Sequence, residues 1–452
     1  FFLSSLLLAP PAHASNVVVD VDSLRNAFRS PPSSAGPYRM LSLRGGDIDD
    51  QATRARLESI RQAGYGGVLI SATAPLGEPM TPEQWSRVNE FAQPSYFKHM
   101  ATLLHDASTM GLSAVSTLGS CWPMGGGLAI TPELAQVEVT VTHQEVRGGT
   151  ESVQLRLPAQ PMRTGAMMRM MRPTPPGQEL PAGWAERLKK REKIIAVLAV
   201  QGTAPSVIPT SDAILGPPDG QGVVVKSGQL QSSSAQNVTQ HLRPDGRLDW
   251  RVPDGTWQLF VFKQVPSDLV LTCGAGRGPQ LVMDHFKRAA LEAHTKRVFE
   301  AGRAQLGPFL GKTLTAYTVD SLENASDLYW TDDLLAQFKR RRGYDLVPYL
   351  PLVFQPGWMA HPYQARVSAP QFDDAQIGER VRADYRLTVS ELMIENMYEP
   401  FAAWAKKNGL HSEFQAHGAP VDILKAYGTA DVPESEDLHV GADPYFLKLA
   451  RS

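Results

Sequence analysis

Residues 313–323 read TLTAYTVDSLE, and this stretch decides between two folds. An apolar, β-branched run of strand length stops at two acids, Asp320 and Glu323, with Ser321 between them. Strands do end in solvent, where acids are common. Strands of a (β/α)8 barrel also end this way for another reason: catalytic groups gather at their carboxyl ends. The remainder of the chain discriminates between these readings.

On both sides of a central segment, strand-like and helix-like runs alternate. Before it come YRMLSL, a helical run from Asp49, GGVLISA, a second amphipathic run from Pro94, and LSAVSTLGS. After it come a helical HFKRAALEAHTKRVFEAGRAQ, then TLTAYTVDSLE, and TDDLLAQFKRRRGYD, a helix that Thr331 or Asp332 would cap. A long helical stretch ending at Gly409 leads to LHSEFQAHG, PVDILKAYG and TADVPESED. This rhythm predicts parallel βα units. No Gly-x-Gly-x-x-Gly follows the first strand, which weighs against an open dinucleotide-binding sheet. The expectation is therefore α/β: a (β/α)8-type barrel, incomplete at the C-terminus, interrupted by a β-sandwich-like insertion.

The interruption has its own texture. VEVTVTHQEV and ESVQLRLP alternate apolar and polar residues with period two, and KIIAVLAVQG, GQGVVVKSGQL and GTWQLFVFKQV follow, punctuated by Gly, Pro and Ser. The expected organisation is a partial signal peptide at 1–14, barrel at 36–135, a β-rich module at 136–268, and barrel again at 269–452. The Met-rich stretch from Met162 reads as a loop rather than a cofactor box.

Composition excludes some functions. The chain has 452 residues, which calls for more than one small core. A formal net charge of −2 provides no field to recruit nucleic acid or an anionic membrane. FFLSSLLLAPPAHASN is an apolar run closing on Ala12-His13-Ala14, the pattern of an export signal and its cleavage site. It is too short for a spanning helix, which needs about 20 apolar residues. The protein is expected to be exported, periplasmic or extracellular, with no membrane anchor after signal removal. Two cysteines, Cys121 and Cys273, fit one disulfide or two thiols equally well.

Read together, the strand ends offer acids, amides, an imidazole and an indole: Trp122, Asp320, Glu323, Gln415, His417, Glu434 and Glu436. Sugars present hydroxyls to carboxylates and amides, and C–H faces to an indole such as Trp122. Cleaving a glycosidic bond takes two carboxyl groups, one protonating the leaving oxygen and one activating water or attacking. The blander reading makes Glu323 a helix-capping acid and Glu434 and Glu436 a surface acidic turn.

Three stretches carry a resemblance. LGSCWPMGGGLAITPELA (118–135), the segment from DSLENASDLYWTDD to VPYLP (320–351), and the segment from VRADYRL to DVPESE (381–436) are similar to glycoside hydrolase family 106, the α-L-rhamnosidases. The resemblance implies an inverting hydrolase acting on rhamnose-containing glycans or glycosides, with calcium touching the sugar's vicinal hydroxyls. It implies Glu323 as general acid, Glu436 on the water-activating side and Glu434 as a metal ligand. Asp320, Trp122, Gln415 and His417 would bind substrate. The family carries a further acidic strand end after the PESE segment, and the export signal has neither an initiating Met nor a basic n-region, so a chain truncated at both ends is expected. Two other readings use the same groups: a retaining hydrolase of another sugar, with its carboxyl groups roughly 5–5.5 Å apart instead of about 6.5–9.5 Å, and an inactive carbohydrate-binding fragment.

Overall fold

A computed structural model describes residues 20–29, 36–75, 79–159, 174–208, 223–267, 269–271, 273–322, 326, 328–354 and 370–435. The signal-like residues 1–14, Glu323 and Glu436 lie outside the described residues. In chain order the principal strands are β1 (Tyr38–Arg44), β2 (Gly67–Thr73), β3 (Ser113–Thr117), β4 (Val137–Arg147), β5 (Lys193–Gln201), β6 (Thr256–Pro266), β7 (Leu314–Val319), β8 (His411–Gln415) and β9 (Val432–Glu434).

Six of these make one sheet, ordered β1-β2-β3-β7-β8-β9, and every pairing in it is parallel. The strands advance in one direction without reversal, so right-handed crossovers set their helices on a single side. On that side Leu41 and Leu43 of β1 sit in register with Ile70 and Ala72 of β2, all buried. They join Leu57 of helix Asp50–Gln62 and Phe97, Met100 and Leu104 of helix Pro94–Thr109 in one core. Further along, Tyr317 packs edge-on against Phe299 and Trp404, and Phe414 lies tilted against Tyr398 and Phe401. The fold is mixed α/β with a parallel sheet. Among the described residues the sheet is open, and neither β1 nor β9 has an outer neighbour.

The β-rich segment folds as expected at VEVTVTHQEV, KIIAVLAVQG and GTWQLFVFKQV, but its pairing is not local. β4 pairs along its whole length with β6, antiparallel, and β6 pairs on its other side with β5. VEVTVTHQEV and ESVQLRLP, neighbours in sequence, do not pair with each other; Val153–Gln154 joins Arg247–Leu248 instead. Tyr329–Trp330, which follows β7 in the chain, adds itself to the outer side of β4, and Gln236–Asn237 adds itself to the outer side of β5, making a five-stranded sheet. One face of that sheet shares the main core through Val137, Val139, Ala196, Leu198, Phe260 and Phe262. The other face forms a smaller core around Val197, Trp257, Leu259 and Val261, closed by the two-stranded ribbon. In place of a sandwich of two full sheets, a single sheet is covered by this ribbon on one face and shares its other face with the main core.

Two local departures have physical reasons. The helix expected from Thr331 runs Leu334–Arg342 with no side-chain cap. The Thr331 hydroxyl donates to Asp284 and the Asp332 carboxylate takes Arg191 and Lys287, so neither is left to cap it. The long helix is Gly378–Met393, a π turn at Ile394–Tyr398, then Glu399–Lys407. The turn precedes Pro400, which has no N–H for the carbonyl four residues back. Among the described residues no helix is long and apolar enough to cross a membrane.

Candidate active site

Parallel register fixes which side chains share a face. Thr318 lies beside Glu413, and Gln415 beside Glu434. Successive residues of a strand alternate sides. Since Tyr317 and Phe414 point at the helices, Thr318, Glu413, Gln415 and Glu434 project from the opposite face, near the carboxyl ends of β7, β8 and β9.

Glu434 is held at three points. Its Oε2 accepts the Thr318 hydroxyl at 3.2 Å and its Oε1 accepts the Gln415 amide at 3.1 Å. Its backbone carbonyl accepts the Tyr427 hydroxyl at 2.7 Å. Glu413 stands half-buried beside it. Burial, and then the charge of Glu434, push the Glu413 carboxyl up to about 7. Among the described residues no Lys or Arg forms an ion pair with either acid. The result is a Glu434 side chain fixed by two donors beside a second acid whose carboxyl is pushed toward neutrality.

The other expected residues fall around this pair. Asp320 is the first residue past β7, half-buried, with its Oδ1 accepting the Ser321 amide at 2.8 Å. Gln415 is buried, its amide nitrogen directed to Glu434 and its Oε1 without a hydrogen-bond partner. His417 is buried two residues past β8. Trp122 stands past the end of β3, the strand beside β7, and is 39% exposed. Its loop is tied down by the Cys121–Cys273 disulfide, Cα–Cα 5.3 Å, which answers the cysteine question. The Ser120 hydroxyl oxygen also accepts the Ala275 amide at 2.7 Å. Gln415 and Glu434 are thus in contact, and Asp320 and Trp122 occupy the ends of neighbouring strands.

Glu413 and Thr318 were not among the residues singled out from the sequence. A signal existed: with period two, HSEFQ puts Glu413 on the same face as Gln415. Calcium takes oxygen ligands, and Glu413, Glu434 and the unpartnered Gln415 Oε1 are all hard oxygens, so the donor chemistry fits such an ion. They do not form a cluster of three acidic, His or Cys ligands, and none occurs among the described residues.

Comparison with known proteins supplies the context. Residues 220–442 match the family model Glyco_hydro_106, described as alpha-L-rhamnosidase. The solved rhamnosidase from Novosphingobium sp. PP1Y superposes with a TM-score of 0.51 at 18% identity, over 90% of this chain and 49% of that one. A curated relative from Formosa agariphila, carrying the provisional name of a beta-glucuronidase, is 24% identical over 99% of this chain and 35% of its own length. The chain thus spans about a third of the curated relative and about half of the solved structure. The segment holding β6 to β9 thus matches the model of a family described as alpha-L-rhamnosidase.

Proposed function

We propose that this is an exported glycosidase that removes terminal α-L-rhamnosyl residues from glycans or glycosides by an inverting acid/base mechanism, on a barrel of which the six-stranded sheet is one wall. The observation that carries the reading is the placement of Glu434, fixed by Thr318 and Gln415 beside Glu413 at the carboxyl ends of parallel strands. Asp320 and Trp122 supply, at adjacent strand ends, a hydroxyl-binding acid and an apolar platform. Gln415 and His417 line the same end. Glu323, three residues past Asp320, takes the role of general acid, and Glu436 that of the water-activating base.

Calcium belongs to the proposal through the donor chemistry of the site. Glu434 would hold it, with Glu413 and Gln415 Oε1 as neighbouring oxygens, and when bound it would orient the vicinal hydroxyls of the sugar. Glu434 itself keeps its orientation through Thr318, Gln415 and Tyr427.

A second reading, a retaining hydrolase of a uronic acid, is suggested by the name of the Formosa relative. The family model matched by residues 220–442, described as alpha-L-rhamnosidase, favours the first reading. Glu323→Gln tests the principal reading. General-acid catalysis contributes roughly 10²–10⁴-fold, so natural rhamnosides with alcohol leaving groups should lose turnover on that scale. An aryl rhamnoside with an acidic phenol should retain far more. Equal losses on both substrates would remove Glu323 from the acid role, and hydrolysis of an aryl glucuronide but no rhamnoside would support the second reading.

A further inference from the structure

A buried guanidinium lies beneath the rim that carries Trp122. Arg297, at the penultimate position of helix Arg288–Val298, is half-buried, its stem reaching solvent while its guanidinium end is enclosed, and burial lowers its pKa to about 10. Enclosing a charge without a counter-ion is costly, yet its Nη1 donates only to the Gly126 carbonyl, at 2.8 Å, and its Nη2 is buried with no partner. The ring of Phe91 lies 5.7 Å away. The guanidinium occupies space that two glycines leave open. A side chain at Gly127 would collide with its Cζ, and one at Gly276 with its Nη2.

Those glycines belong to two loops, 118–128 after β3 and 273–283 after β6. The loops are cross-tied by Gly126 N–H to the Leu281 carbonyl and Gly127 N–H to the Pro279 carbonyl, both 2.8 Å, and by the disulfide. One turn earlier on the same helix, buried His294 donates from Nε2 to the Leu118 carbonyl at 3.0 Å. A buried imidazole and an enclosed guanidinium end therefore reach from one helix face into the loop of Trp122, where apolar side chains would have packed at lower cost.

We infer that Arg297 is a positioning residue for substrate binding: it fixes loops 118–128 and 273–283 against each other and so sets where the Trp122 indole stands at the strand ends. The identity of the sugar rests on the proposed function; the geometry of the rim does not.

Arg297→Met keeps the reach of the side chain and removes its charge and donors, and Arg297→Lys keeps the charge. If Arg297 only supported the fold, Tm would move and KM would not. As a positioning residue it should raise KM for an aryl rhamnoside by roughly tenfold in the Met variant, the equivalent of one aromatic contact, with kcat within about threefold. The Lys variant should fall between. Trp122→Phe should raise KM similarly, and adding it to Arg297→Lys should give little more, because both act on one contact. A readout free of substrate is acrylamide quenching of Trp122, taken as the difference between proteins with Trp and with Phe at position 122. It should increase in Arg297→Lys, which also decides the matter if the Met variant does not fold. Unchanged KM and unchanged Trp122 quenching in a folded variant would overturn the inference. Should the wild type hydrolyse no rhamnoside, the proposed function fails, and the quenching comparison still judges Arg297.

Discussion

Glu434 is a half-buried acid and Asp284 a fully buried one, and their surroundings act on them differently. Glu434 accepts a donor at each oxygen. Glu434→Gln would turn an amide donor toward one of those donors, leaving a buried polar group unmatched at about 1–3 kcal/mol. We expect a fall in Tm together with a large loss of rhamnoside turnover, measured by calorimetry and initial rates on the same preparation. Asp284 is fully buried, and burial outweighs Lys287 at 3.7 Å and the donors Thr331 and Phe286, raising its pKa to about 6 from 3.8. The folded protein therefore holds this proton more tightly than the unfolded chain. The stability contributed is complete below about pH 4 and is lost as pH rises through about 6, amounting to at most about 3 kcal/mol. Asp284→Asn should remove that slope, so the difference in Tm between variant and wild type should change sharply between pH 4 and 6 and be flat above pH 7. Neither Asp284 nor Glu413 stood out in the sequence, because an acid read singly looks solvated. Asp320, Gln415 and Glu434 were legible because each closes a β-branched or apolar run.

At the scale of elements, the parallel strands were legible because each is a short apolar run between helix-period segments. The pairing of β4 with β6 was not, since a contact between residues 137–147 and 256–266 leaves no trace in a local window. The disulfide was open for the same reason: two cysteines 152 residues apart declare no partnership until their loops are placed. Closing so long a loop is worth about 2–4 kcal/mol in typical cases, mostly by restricting the unfolded chain. Reduction, or Cys121→Ser with Cys273→Ser, should lower the denaturant midpoint accordingly. It should also make Trp122 more mobile, with KM affected more than kcat. A reduced protein with unchanged midpoint would show that the hydrogen-bonded ties between the two loops suffice.

Across the whole molecule, one apolar core runs from Leu41 and Leu57 beside the parallel sheet through Val139 and Phe262 of the five-stranded sheet. The polar seam between them is also shared: Arg191, Asp332, Lys287 and Asp284 link residues from both sides. Texture in the sequence suggested a module of its own, because period-two alternation reports a sheet and says nothing of what covers its faces. A shared core predicts joint melting of the described residues. Calorimetry should give one transition with calorimetric and van't Hoff enthalpies in agreement. Phe262→Ala should lower the melting of both sheets together, by about 3–5 kcal/mol for a buried aromatic.

The strand Tyr329–Trp330, pairing with Glu138 and Val137, has a consequence for synthesis. A ribosome delivers Val137 long before Trp330, so the nascent chain carries a bare, β-prone border on β4 until the later segment emerges. The sheet is closed by a latecomer. Translation halted ahead of Tyr329 should release a sticky intermediate that chaperones retain, and halting after the helix Leu334–Arg342 should relieve that retention.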